Sequence, residues 1–240
     1  MQLMKPKIFI FDEITYPSSE IQQLTNSIAE CFSPEKFKPT DYESVGLIYP
    51  NNQAQKVLAF FPASLPMIAD VEWHDLQKLD HFFTQLYLLQ RIEKLAQQLT
   101  HHEIILFHSR HKYLIMAYSP IGYQLTGKLV AELKKGDDLK LFFSQYKAHL
   151  MEIFGCLPSK NIQVNALSHM QGYFKRKASP DEKKHLLGLI NDYREGSLPI
   201  SQPLAMMQQL LTLYPDNYLS GQYYFEPYPN CEKLRKLPYF

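Results

Sequence analysis

At 240 residues, 45% of them hydrophobic, the chain is long enough for a sizeable core and sits between one large domain and two small ones. No stretch reaches the roughly 18–20 uninterrupted apolar residues that a spanning helix needs, and in MQLMKPKIFIFDE acid follows directly on a short apolar run; a cytoplasmic protein with no membrane partner is expected. The formal net charge of +1 conceals an asymmetry: residues 1–100 carry 8 Lys/Arg against 12 Asp/Glu, whereas residues 101–178 carry 11 against 5, a basic middle able to attract phosphate or simply to solvate helical faces.

Lys7-Ile8-Phe9-Ile10-Phe11 is a β-branched and aromatic run that predicts a buried strand. Ile21, Leu24, Ile28 and Phe32 recur at helical spacing behind a Ser18-Ser19 cap. Val45–Tyr49 and Lys56–Phe61 predict two more short strands, separated by the turn residues Pro50-Asn51-Asn52. Pro62-Ala63-Ser64-Leu65-Pro66 then reads as an extended linker, because each proline disfavours helix in itself and in its predecessor. From Asp75 the period becomes helical. One long amphipathic helix carries Leu76, Leu79, Phe82, Phe83, Leu86, Leu89, Ile92, Leu95 and Leu99. A second, capped by Thr100, runs to about Tyr118; a third runs from Pro120 to Lys135 and stops at Gly136; a fourth, capped by Asp137 or Asp138, ends near Gly155. The fifth spans about Lys160–Lys177. Ser179-Pro180-Asp181-Glu182 starts a sixth that Gly196 ends, and Pro203 opens a seventh ending before Pro215. The aromatic and proline-rich tail from Tyr218 predicts extended chain. The fold class is thus α+β: a small α/β domain with its linker over residues 1–66, then a mostly α-helical bundle over residues 67–240.

Cys31, Cys156 and Cys231 are odd in number, far apart and in no C-x-x-C pair. That argues against a disulfide framework, a zinc ribbon and a cysteine-held cluster, and no cofactor is expected.

Two stretches carry chemistry. Phe107-His108-Ser109-Arg110-His111-Lys112-Tyr113 puts two imidazoles, a guanidinium and an ammonium within two helical turns, with His108 and His111 at i, i+3 and Lys112 at i+4 from His108. Two histidines alone do not make a zinc site, and adjacent cations oppose one, so no metal is assigned; an anion site and simple helix packing remain. His169-Met170-Gln171-Gly172-Tyr173-Phe174-Lys175-Arg176-Lys177 sets aromatics beside cations, the composition of a base-stacking, phosphate-holding surface and also of a helix end complementing its dipole. A glycine inside a helix costs about 1 kcal/mol relative to alanine, so Gly172 predicts close approach of a neighbouring helix. Tyr193-Arg194-Glu195-Gly196 ends a helix, where Arg194 is able to clamp an oxyanion or bond free carbonyls. There is no Gly-rich phosphate loop, G-x-S-x-G elbow or H-E-x-x-H motif.

The run from Leu106 to Glu132 resembles the first signature of the bacterial DUF1722 (YbgA-like) family, of the form FH-x-RHK-x-L-L-x-A-H-S with a following Y-x-x-L-G-x-L-V. His108, Arg110, His111, Lys112, Ser119, Tyr123, Gly127 and Leu129-Val130 fall on it, while Tyr118 stands where the family often has histidine. The segment from His169 to Leu211 is similar to the second signature through His169, Gly172, Tyr173, Phe174, Lys175, Glu182, Tyr193, Arg194, Gly196, Pro199 and Pro203; Tyr218-Leu219, Gln222 and Pro227-Tyr228-Pro229 match its ending. The resemblance covers about half the chain and implies a mostly helical domain. The family is sometimes fused behind DUF523, a domain associated with thiouracil desulfidases that hold an iron–sulfur cluster through cysteines. Lys5-Pro6-Lys7-Ile8 resembles the DUF523 start, but Phe11-Asp12-Glu13 stands where its first cysteine motif would come. The N-terminal part therefore reads as a shortened, cluster-free relic or replacement, and desulfidase activity is not carried over. The fusion, and the association of YbgA-like proteins with photolyase genes, imply a neighbourhood of modified nucleobases or RNA.

Three functions stay open: an accessory module binding a nucleotide, RNA or another anionic ligand; a small-molecule enzyme with an interhelical His/Arg/Tyr site for a nucleobase or other anionic substrate; and a protein-interaction module. The candidate ligand-binding residues are His108, Arg110, His111, Lys112, Tyr123, His169, Tyr173, Lys175, Tyr193, Arg194 and Gln222. If both signatures serve one ligand, the second and fifth helices pack side by side, with Gly172 at their close approach and His108 or His111 facing Tyr173 or Lys175.

Overall fold

The computed structural model describes residues 5–33, 45–61 and 65–236. The chain forms two compact units, one of Met1–Gln97 with Tyr228–Leu234, the other of Gln98–Pro227 with Arg235–Phe240. The expected boundary at residue 66 lies inside the first unit.

In the first unit, strands β1 (Lys7–Ile10), β2 (Glu30–Phe32), β3 (Val45–Tyr49) and β4 (Met67–Ala69) form a parallel sheet in the order β2-β1-β3-β4. The register pairs Ile8 with Cys31, Phe9 with Leu47 and Ile48 with Ile68. Helices α1 (Ser19–Ile28), α2 (Ala54–Phe60) and α3 (Leu76–Gln97) cover it. Strand residues alternate between faces, so Ile8, Ile48 and Ile68 pack with Ile21, Leu24 and Ile28 of α1 and Leu79, Phe82, Phe83 and Leu86 of α3. Phe9, Leu47, Tyr49 and Ala69 turn the other way, toward Val57 of α2. A Cβ on Gly46 would meet the Phe82 ring at 2.8 Å, so the glycine lets α3 lie close on β3. Tyr228, Cys231 and Leu234 complete the first face and are buried there.

Two local expectations are corrected. Lys56–Phe61 is not a strand: a tight turn at Asn51–Gln53 runs straight into α2, and only Val57 is buried while Leu58 and Phe60 are exposed, the one-faced pattern of a short surface helix. The sheet runs past the expected end of the α/β part at residue 66, because Met67–Ala69 pairs with β3 as β4; of the expected linker, Pro62, Ala63 and Ser64 lie outside the described residues.

The second unit is a helical bundle of α4 (His101–Tyr118), α5 (Pro120–Glu132), α6 (Leu139–Ile153), α7 (Lys160–Gln171), α8 (Pro180–Glu195) and α9 (Ser201–Leu213). The caps are local chemistry. Thr100, Ser119, Asp138 and Ser159 each accept a first-turn backbone N–H; Ser179 and Glu182 form a reciprocal capping box, and Gly196 ends α8 at φ 82°. Helix α4 packs against α5, α6 and α7, and α7 against α8. The fifth helix is shorter than expected: α7 ends at Gln171 and tightens into a single turn over Gly172–Phe174. The tail is not simply extended, for it contains the short helices α10 (Asn217–Ser220) and α11 (Cys231–Arg235). Among the described residues, no helix is long and apolar enough to cross a membrane.

Candidate functional site

The α4–α7 packing brings part of both signatures together, but not through Gly172. That glycine is exposed, and a Cβ on it would meet nothing within 4 Å. Since α7 has already ended, no neighbour crosses there. The meeting point is Lys112. Its ammonium lies 5.1 Å from the ring centroid of Tyr113, 5.8 Å from Tyr123 and 5.9 Å from Tyr218, within the range in which a cation is attracted by an aromatic face. Tyr113 donates to the Tyr173 hydroxyl at 3.2 Å, and Tyr173 stacks on Tyr218 at 6.2 Å with planes 15° apart. Lys112 has no carboxylate within ion-pair reach among the described residues. Burial, helped by the neighbouring Tyr173 hydroxyl, raises the phenols of Tyr113 and Tyr123, so both stay protonated and able to donate at neutral pH.

His108 adjoins this ring of tyrosines one turn earlier on α4. Its Nδ1 is 2.9 Å from the Tyr146 hydroxyl of α6, and its ring lies parallel to Tyr123 of α5, 4° between planes and 5.9 Å between centroids. Burial, and then the Lys112 ammonium, push the imidazole down to about 4, so it is uncharged at neutral pH. Gln222 ties the tail to α4: its Oε1 accepts from Tyr113 N at 3.4 Å, and its Nε2 donates to Ser109 O at 2.9 Å.

The other expected residues lie elsewhere. His111 is fully buried; its Nδ1 lies 2.7 Å from Phe107 O, and its ring sits between those of Phe107 and Tyr223. Arg110, His169, Lys175 and Arg194 are exposed. Tyr193 is buried with the Lys160 ammonium 5.7 Å from its ring centroid. Where His108 or His111 was expected to face Tyr173 or Lys175, the residue of α4 that reaches Tyr173 is Tyr113. Sequence reasoning missed Tyr113, Tyr146 and Tyr218. Tyr113 follows Lys112 directly and Tyr218 opens the tail motif, so both were within sight; Tyr146 lies outside both signatures. Among the described residues, no three His, Cys, Asp or Glu side chains gather as metal ligands.

The family model described as "Protein of unknown function (DUF1722)" matches residues 112–229, a span containing Lys112 and all four tyrosines around it. The chain is similar to the Escherichia coli (strain K12) "Uncharacterized protein YbgA", 31% identical over 157 residues, which cover 65% of this chain and 93% of that protein. No solved structure matches. With a relative aligned over nearly its whole length at that identity, and the same family's model resting on the helices that build the site, this chain belongs to the DUF1722 family.

Proposed function

We propose that the helical unit is a binding module for a nucleotide or for a nucleotide unit of RNA. What carries the reading is Lys112: an ammonium without a carboxylate partner among the described residues, set among the rings of Tyr113, Tyr123 and Tyr218. An ammonium and phenol donors suit a phosphate, and aromatic faces suit a planar base. Arg110, Lys175 and Arg194, exposed on the same basic unit, add long-range attraction.

The test is the affinity of the full chain for a fluorescein-labelled mixed-sequence RNA 12-mer and for GMP. Lys112→Ala is expected to weaken both by about tenfold or more and to flatten the salt dependence of RNA binding by about one phosphate contact, with thermal unfolding unchanged. A wild-type protein that binds neither probe, or a Lys112→Ala variant that binds both equally well, would sink the reading.

A further inference from the structure

Gly127 sits in the middle of α5, where glycine lowers helix stability relative to alanine. Neither of the usual reasons for a glycine applies. Its φ is not positive, and among the described residues the atom outside its own helix backbone that an added Cβ would meet within 4 Å is His108 Nε2, at 3.5 Å, a distance at which alanine fits without displacing anything. What the missing methyl leaves clear is the space beside that nitrogen. His108 Nε2 itself has no hydrogen-bond partner among the described residues.

Tyr146 decides what Nε2 presents. The phenol is fully buried, and burial holds it protonated. Its hydroxyl has one partner among the described residues, His108 Nδ1. A buried hydroxyl proton goes to the acceptor in reach, so Tyr146 donates to Nδ1 and the neutral imidazole carries its hydrogen on Nε2. We propose that His108, fixed in this tautomer by Tyr146 and left uncovered by Gly127, is a neutral N–H donor that reads an acceptor atom on the base of the nucleotide held at Lys112. The charge in this neighbourhood comes from Lys112; an uncharged ring matches an uncharged acceptor better than a phosphate. Tyr146 is on this account a positioning residue, and Gly127 sets access. The inference rests on the nucleotide-binding reading.

The experiment measures binding of GMP and of ribose 5-phosphate to the full chain carrying Gly127→Ala, Tyr146→Phe or Lys112→Ala, with thermal unfolding of each and imidazole 15N spectra of the ligand-free protein. Gly127→Ala places a carbon inside the shell that an acceptor about 2.9 Å from Nε2 requires. It is expected to raise the melting temperature, weaken GMP about tenfold and leave ribose 5-phosphate unchanged. The wild-type His108 is expected to show a protonated Nε2 and a bare Nδ1, a pattern that Tyr146→Phe relaxes toward a mixture. Wild-type protein that binds no GMP overturns this inference, and wild-type protein that binds neither GMP nor the RNA 12-mer removes both readings. GMP binding that Lys112→Ala weakens but Gly127→Ala does not, equal losses for GMP and ribose 5-phosphate, or a proton on Nδ1 in the wild type, each overturns this inference and leaves the nucleotide site standing.

Discussion

His108 links the site to the acid stability of its unit. The groups facing it are Lys112 from its own helix, Tyr123 from α5 and Tyr146 from α6, and both tyrosines are shifted upward, so the imidazole is the member of this set that titrates in mild acid. Its folded value of about 4 lies below the 6.5 of an unperturbed histidine. The unfolded chain therefore takes up the proton first, and folding stability falls as pH drops from 6.5 toward 4, by at most about 1.4 kcal/mol per pH unit. Below that window the contribution levels off, and above it the full stability is present. Replacing His108 with glutamine removes the titration, so the melting temperature of the helical unit should fall less steeply over this range than in wild type. Parallel profiles, followed by probes confined to residues 98–227, would contradict the assignment. His81 of the first unit is also pushed down to about 4, chiefly by burial, which is why the probe must report on the helical unit alone.

Among the elements, glycines divide by what lies over them. In α5, a Cβ on Gly122 would come within 2.5 Å of Ile153 Cγ1 on α6, so Gly122→Ala forces Ile153 aside and should destabilise the bundle by about 1–3 kcal/mol. Gly172, with nothing within 4 Å, should accept alanine with a change of no more than about 0.5 kcal/mol. Chemical denaturation of the two variants checks both, and reversed effects would mean that α5 and α6 are not packed as described. The sequence assigned the close approach to Gly172 because a glycine within a helical pattern shows that a methyl is missing, not whether anything occupies the place. Caps were legible for the opposite reason: Thr100, Asp138 and Ser179 act on backbone within three residues of themselves. The three-residue strands β2 and β4 were not, since a run that short has no alternation to detect. The site was legible as two stretches of the right chemistry. Their register was not, because which side of α4 meets α7 is settled by packing, and in the sequence Tyr113, Tyr146 and Tyr218 have the look of ordinary packing or surface aromatics until they meet at Lys112 and His108.

At the level of the whole molecule, the first unit is discontinuous in the chain: Tyr228, Cys231 and Leu234 are buried with α1 and α3, about 130 residues after the rest of that core. Tyr228 packs its ring on Phe83 and donates its hydroxyl to Asp80, while Asn230 donates to Ser27. Leu234→Ala should cost about 2–5 kcal/mol, read as lost hydrogen-exchange protection at the amides of β1 and β3; unchanged protection there would show that this segment does not complete the core. Time enters through the same connectivity. On the ribosome, residues 5–97 emerge with α1, α3 and all four strands, yet the piece that closes their apolar face is still untranslated. At about 5–20 residues per second the wait is roughly 7–26 s, during which Phe83 and its neighbours lack the Tyr228 ring and present a face that chaperones recognise. The main segment of the helical unit, Gln98–Pro227, is synthesised within that interval, so most of that unit is available to fold before the core of the first is complete.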